Sequence, residues 1–218
     1  MEEFMAFKRA RTEAQITNRQ EEIINACDIL YGQSNFDSVT IKAISELTSF
    51  TRSSIYNYYK TKEEIFLALM QQEYVDWYNE IKNKFDTSPA LTKEEFCHFL
   101  TSSLTKREKM LRLFSIHLTA IENNCRNEKL IEFKKNAAII FNVFCGGIDK
   151  FFPNTTMAAK KAFRSEFFIY IFGLYPFTHL SKNQKTAMRK ARVIFNDMSF
   201  EDLCFHGISL LAANLVEK

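Results

Sequence analysis

"TIKAISELTSFTRSSIYNYYKTKEEIF", residues 40–66, is the stretch from which the fold is read. Thr40 stands directly before an apolar face at Ile41, Ile44 and Leu47, the spacing of a short helix with a threonine cap. "TSF" at 48–50 makes a tight connection. Thr51 can then cap a third short helix in which Ile55 and Tyr59, four apart, face the same side. Those two residues pin the helix to a core and leave Arg52, Ser53, Tyr56, Asn57 and Tyr58 directed elsewhere. Thr61 with Glu64 has the form of a capping box, opening a long helix through Ile65, Phe66, Leu69, Met70, Tyr74, Trp77 and Ile81. Upstream, Ile16, Ile23, Ile24, Cys27, Leu30 and Tyr31 recur at helical spacing behind a second box, Thr12 with Gln15. "YGQSNFDSVT" separates that first helix from the next.

Composition extends this reading to the whole chain. With 218 residues, 46% of them apolar, the chain can bury a core, and 5 Gly with 3 Pro are too few for the turns of a sheet-rich fold, so the class is all-α. The longest apolar stretches, "AAIIFNVF" and "EFFIYIFGLYPF", fall short of the about 20 residues of a membrane span. The first residues lack an apolar signal core, so a cytoplasmic location without membrane contact is expected. Five scattered cysteines, odd in number and without a CxxC pair, fit buried thiols better than disulfides or a zinc knuckle. A net charge of +3 does not by itself announce a nucleic-acid partner. Any such binding has to come from local placement.

Local placement does point that way. Two short capped helices joined by a tight turn have the size of a helix-turn-helix, whose second helix enters the major groove. From Leu47 to Lys62 there is no acidic residue, whereas Arg52, Lys60 and Lys62 are basic. A tyrosine ring packs on the sugar-phosphate backbone or a thymine methyl while its hydroxyl donates to a phosphate. Asn favours adenine edges and Arg guanine. Lys62 opens the long helix, where the dipole already favours a phosphate. Each residue alone would fit ordinary helix packing beside a solvated charge; the ordered set favours DNA.

The stretch resembles the N-terminal domain of TetR-family transcriptional regulators. In that pattern small polar residues after the turn are followed by an aliphatic, Tyr, a variable residue, an aromatic or His, Phe, a polar link and a Lys opening the fourth helix. Here it stands as "TRSSIYNYYKTKEEIF", and the likeness extends through "TIKAISELT" to Ile16. By position, Tyr56 and Lys62 match the phosphate-contacting Tyr and Lys, and Thr40 the cap that also touches the DNA backbone. Thr51, Arg52, Ser53, Ser54, Asn57 and Tyr58 complete the expected DNA-binding set. Two positions depart from the pattern. Ser49 and Phe50 stand where the family usually has Gly and an aliphatic, and a non-Gly residue at positive φ would cost roughly 1 kcal/mol. Tyr59 replaces the usual Phe.

The resemblance implies residues 1–60 as a three-helix DNA-binding domain and 61–218 as a larger helical regulatory and dimerisation domain, with helix 61–84 linking them. Beyond it, helices are expected at 92–104, 107–123, 127–151, 156–179, 183–195 and 199–216, with Pro153 ending one and Pro176 kinking or ending another. "AFRSEFFIYIFGLYPFTHLSKNQKTAMRKA" also looks similar to a C-terminal module of a TetR subgroup. His117, Phe141, Phe144, Phe168 and Phe172 are candidates for an effector pocket, although His117, mid-helix on a mostly apolar face, reads more readily as a satisfied core histidine than as a pocket ligand. The helices 156–179 and 199–216 carry apolar residues on more than one face. Phe163, Phe167, Tyr170, Leu174, Leu203 and Leu210 are the expected seam of a two-fold four-helix interface.

The implied function is a homodimeric repressor that binds a pseudo-palindromic operator and is released when a small apolar or aromatic effector tilts helix 61–84. No cofactor is implied. One alternative is a ligand-independent DNA-binding activator. Another is a helical-bundle metalloprotein using Glu95 and His98, an ExxH pair that would require a second such pair. The sequence has no phosphate-binding loop and no GxSxG elbow, so it does not read as an enzyme.

Overall fold

Threonine and serine caps divide the chain. In the computed structural model, which describes residues 13–193 and 198–217, α1 spans Glu13–Gln33, α2 Ile41–Glu46, α3 Arg52–Ile55 and α4 Lys62–Thr87. They are followed by α5 Lys93–Thr105, α6 Glu108–Phe114, α7 Asn127–Phe151, α8 Met157–Thr178, α9 Lys182–Lys190 and α10 Phe200–Leu211. The architecture is all-α, a small N-terminal three-helix unit followed by a larger helical part. Thr40, Thr51, Thr61, Thr156 and Ser199 each accept a backbone N–H from the first turn of the helix they open. This satisfies a donor that the helix cannot pair by itself. Thr92 with Glu95 and Ser181 with Gln184 form complete capping boxes. Thr12 lies outside the described residues.

Several boundaries differ from the sequence reading. The stretch 107–123 is not one helix: α6 stops at Phe114, a π-turn covers His117–Ile121 and a 3-10 turn Glu122–Asn124. His117 explains the break. Its Nδ1 lies 2.7 Å from the Phe114 carbonyl, occupying the acceptor that a continuous α-helix would use, and the ladder widens so that Ile121 N–H reaches the Ile116 carbonyl at 3.4 Å. α9 ends at Lys190 and is followed by Arg192 at φ 53; residues 194 and 195 of the expected helix lie outside the described set. α10 stops at Leu211, after which Val216 N–H donates to Thr155 Oγ1 at 2.6 Å. Pro176 lies inside α8, close to its end. Leu47 is the C-cap of α2 and is half-exposed instead of buried.

α4 is the central beam, packed on α1 and α7. Trp77, Ile81 and Phe66 on it are fully buried, and the Trp77 indole N–H donates to Ser103 Oγ at 3.3 Å, so the large ring carries no unmet donor. Two glycines permit close helix approach. A Cβ on Gly147 of α7 would run into the Phe85 ring, and one on Gly207 of α10 into Tyr170. A continuous aromatic core runs from Phe96 through Phe152 and Phe163 to Phe144 and Phe167.

That core corrects the expected dimer seam. Phe163, Phe167 and Leu174 are 1%, 0% and 5% exposed within one chain, so they hold the protomer together and cannot meet a partner. Tyr170 donates its hydroxyl to the Leu203 carbonyl at 2.6 Å, tying α8 to α10 inside the chain. The apolar residues that α8 and α10 present outward include Ile169 and Leu210.

Besides the packing of α1 on α4, polar contacts fasten the first three helices to the remainder in two main clusters among the described residues. On α6, Lys109 bridges Asp28 of α1 at 2.7 Å and Glu73 of α4 at 2.9 Å. Arg112 lies over the Tyr31 ring and donates to the carbonyls of Tyr31 and Ser34. The second fastening is Glu64, whose carboxylate accepts Lys60 N–H from the end of the three-helix unit and Arg126 N–H, Nε and Nη2 from the start of α7. The Thr61/Glu64 box is therefore only half formed. Thr61 caps the helix, but Glu64 is turned to its neighbours across the junction, and Thr61 Oγ1 itself donates to the Asn124 carbonyl at 3.1 Å.

Candidate nucleic-acid interface

The turn before α3 is unstrained. Among the described residues the single non-glycine with positive φ is Arg192, so the cost expected at Ser49 does not arise. Ser49 is instead held by α1, its N–H and hydroxyl both donating to the Glu22 carboxylate, at 2.5 and 3.1 Å. Phe50 is buried beneath it, with the Arg19 guanidinium 5.4 Å from its ring centre. With Ile55 and Tyr59 buried as the spacing required, α3 is seated firmly although it is only one turn long.

The outward face follows from that seating. Arg52, Ser53 and Asn57 are exposed, whereas Ser54, Tyr56 and Tyr58 are half-buried. Thr51 Oγ1 lies 2.9 Å from the hydroxyls of both Ser53 and Ser54, so these serines support the cap as well as line the face. Arg52 leans along α3 and donates to the Tyr56 hydroxyl at 3.4 Å. Lys60 donates to the Tyr56 carbonyl at 2.6 Å, closing the end of the helix. Thr40, Lys42, Arg52, Tyr56 and Lys62 border one shallow depression between α2 and the start of α4. Three cations, a hydroxyl cap and a phenol around a shallow surface can receive phosphate oxygens, with the exposed Ser53 and Asn57 beyond them.

Lys62 is less free than its position suggested. Its ammonium donates to the Phe36 carbonyl at 2.8 Å and sits 4.2 Å from the centre of the Phe36 ring. One of its three donors is thereby used to hold the loop before α2, and two remain. Lys42 was missed by the sequence reading. The only signal was its place in the first turn of α2, and among the described residues its ion pair is a long 3.9 Å contact with Glu46.

A second concavity lies between α4, the π-turn, α7 and α8. This cleft of ≈ 420 Å³ has His117, Phe141, Phe168 and Phe172 on its walls, together with Tyr74 and Phe133, which sequence alone did not single out. Phe144 is not on it: the ring is fully buried and stacked on Phe167 at 4.7 Å. Arg164 and Lys134 supply cations at the rim, Lys134 being paired with Glu122 at 2.6 Å. Burial pushes the His117 pKa down, and with Nδ1 facing the Phe114 carbonyl, its Nε2 is left as the acceptor in the neutral ring.

The Glu95 and His98 pair of the metalloprotein alternative does not converge on a common site. Glu95 is engaged in the capping box with Thr92, while the His98 ring lies flat on Phe205 at 4.1 Å. No helix among the described residues is long and apolar enough to cross a membrane.

Comparisons with known proteins agree with this architecture. No curated protein gives a significant match to the sequence. Among solved structures, FadR of Bacillus subtilis in complex with stearoyl-CoA superposes with a TM-score of 0.58 at 13% identity, covering 89% of this chain and 98% of that one. FadR of Thermus thermophilus in complex with lauroyl-CoA, a TetR-family transcriptional repressor, gives 0.58 at 12% identity over 92% and 96%. The fatty acid degradation regulator FadR of Bacillus halodurans gives 0.56 at 13% over 96% and 100%. At such identities the likeness is one of fold. Residues 23–69 match the bacterial regulatory proteins of the tetR family, and residues 71–213 the tetracyclin repressor-like C-terminal domain. With both halves matched, the chain belongs to the TetR family of DNA-binding transcriptional regulators.

Proposed function

We propose that the protein is a homodimeric repressor that grips a pseudo-palindromic operator through paired α3 helices and leaves it when an effector enters the α4–α7–α8 cleft. The observation that carries the DNA reading is the depression bordered by Thr40, Arg52, Tyr56 and Lys62, with Arg52, Ser53 and Asn57 exposed beside it. Phosphate contacts would position the helix there, and Asn57 and Arg52 would read base edges. Exposed Ile169 and Leu210 on the adjoining α8 and α10 support a two-fold seam on that face.

The effector reading rests on the aromatic walls of the cleft and on its cationic rim. Together they suit a molecule with an apolar body and an anionic end, and the acyl-CoA complexes of the two FadR neighbours support the same class. A path to the DNA face is built into the chain. The cleft wall at His117 and Glu122 continues through Asn124 to Arg126, which grips Glu64 beside Lys60 and Thr61. Displacing that segment would tilt α4 and change the separation of the two α3 helices, a coupling of about 1–3 kcal/mol in typical cases.

Selection of genomic fragments by the purified protein at near-physiological salt tests the DNA part, because phosphate-only binding is then suppressed. An enriched inverted repeat is expected. Absence of any enriched site, with the dimer confirmed, would remove it. Acyl-CoA thioesters of graded chain length added to the bound complex test the effector part, with release increasing with acyl length; unchanged binding across the series would exclude this ligand class.

A further inference from the structure

A smaller cleft, of ≈ 230 Å³, opens where α1, α4 and α7 meet. Ile24, Leu67 and Phe133 give it apolar walls, and Phe133 also walls the larger cleft on its other side. Tyr59, 3% exposed, and Gln71 line it with polar side chains. Gln71 Oε1 is buried and has no hydrogen-bond partner among the described residues. A buried polar atom of this kind is normally met by protein, water or ligand, and leaving it unmet is destabilising. The Tyr59 hydroxyl adds a second polar group to the lining.

The electrostatics select the occupant. The carboxylates of Glu64 and Glu132 lie close enough to act on the Tyr59 phenol, which burial and these charges hold above its ordinary range. Glu132 is paired with Lys129 at 2.9 Å and Glu64 with Arg126 at 2.6 Å. Glu21, exposed at the mouth, has no ionic partner among the described residues. Two oxygens able to accept a hydrogen bond, an unneutralised carboxylate and three apolar walls call for an N–H donor that carries positive charge on an apolar body. The volume holds roughly ten non-hydrogen atoms at interior packing density.

We infer that the α1–α4–α7 cleft is a second binding site, distinct from the effector cleft, for a small organic ammonium that bridges the DNA-binding helices to α7. An occupant would add contacts across the junction that Glu64 and Arg126 already fasten, and would press on Phe133 from the side opposite the larger cleft. Binding at this site stands independently of the repressor reading; an effect on operator affinity rests on it.

Calorimetric titration of the full-length protein with 2-phenylethylammonium is the test, with 2-phenylethanol and phenylacetate as neutral and anionic analogues of the same shape. The ammonium is expected to bind at about millimolar concentration, the alcohol about tenfold more weakly and phenylacetate not measurably. Tyr59→Phe and Gln71→Leu should each weaken the ammonium by about three- to tenfold, with the melting temperature of Tyr59→Phe no lower than that of the parent. Ala68→Phe should fill the cleft and abolish binding, whereas Phe141→Ala in the larger cleft should leave it unchanged. No heat of binding with the ammonium, equal binding of phenylacetate, or undiminished binding by Tyr59→Phe would each overturn the proposal and leave a hydrated crevice only. None of these outcomes bears on fragment selection, so failure here is distinguishable from failure of the repressor assignment.

Discussion

The proposed DNA-facing surface and the α4–α7–α8 cleft are built in opposite ways. On the first, most of the side chains come from one short run, Thr51 to Lys62, and several directions are set by a neighbour within a turn: Arg52 by Tyr56, Lys60 by the Tyr56 carbonyl, the serines by Thr51; Thr40 and Lys42 join from the start of α2, and Lys62 is held by the Phe36 carbonyl. In the second, Tyr74, His117, Phe141 and Phe172 come from four separate segments and meet only through packing. A surface assembled locally tolerates weak anchoring, because its partner supplies the remaining order. A cleft assembled from distant segments requires the whole core to be in place. The Glu64 junction belongs to neither and ties Lys60 to Arg126 between them.

The comparison can be tested hardest at the core. Phe144→Ala should lower stability by about 3–5 kcal/mol, since its buried ring is stacked on Phe167 and leaves a cavity, whereas Phe141→Ala at the exposed cleft edge should cost under about 1 kcal/mol. Urea denaturation of the two variants measures this, and equal losses would mean that the cleft wall is as structural as the core behind it.

The junction comes next. Glu64→Gln should cost about 2 kcal/mol near neutral pH by weakening four hydrogen bonds, three of them to Arg126. Burial pushes the Glu64 carboxyl pKa up, but hydrogen bonds from Arg126 and from the Lys60 and Arg126 N–H groups outweigh it and hold the value below the ordinary one. A depressed folded-state pKa gives stability that is present above the unfolded value and lost as pH falls through the folded one. The difference between parent and variant should therefore shrink once the pH drops below the ordinary carboxylate range. A difference that persisted in acid would assign the loss to packing.

On the DNA face, Asn57→Ala should relax preference at one base by about 1–3 kcal/mol and Tyr56→Phe should weaken all sequences alike by about 1 kcal/mol, both with the fold intact. Binding to a randomised operator library separates the two patterns. If neither variant changed binding, the recognition face would lie elsewhere. The smallest effect is expected at the turn. Ser49→Gly should destabilise by about 0.5–1 kcal/mol because it removes the hydroxyl bond to Glu22 and adds chain entropy without relieving any strain. A stabilised variant would show that Ser49 is strained after all.

The sequence by itself determined the helices whose signals are local. Thr40, Thr51, Thr92, Ser181 and Ser199 mark their helix starts because a cap is a contact between residues two or three apart. The seating of α3 was legible for the same reason, since spacing alone puts Ile55 and Tyr59 inward and Arg52, Ser53 and Asn57 outward. What failed depended on partners far along the chain. The break at His117 came from a side chain taking a backbone acceptor, and the reach of Glu64 to Arg126 needed a residue 62 positions away. Phe163, Phe167 and Leu174 looked like interface because apolar periodicity says that a face is covered, not by what. Only the tertiary structure decided that the chain's own α5, α6, α7 and α10 cover it, leaving Ile169 and Leu210 outside. The physical reason is that burial is a property of the assembled neighbours, whereas a cap or a helix face is a property of the local backbone.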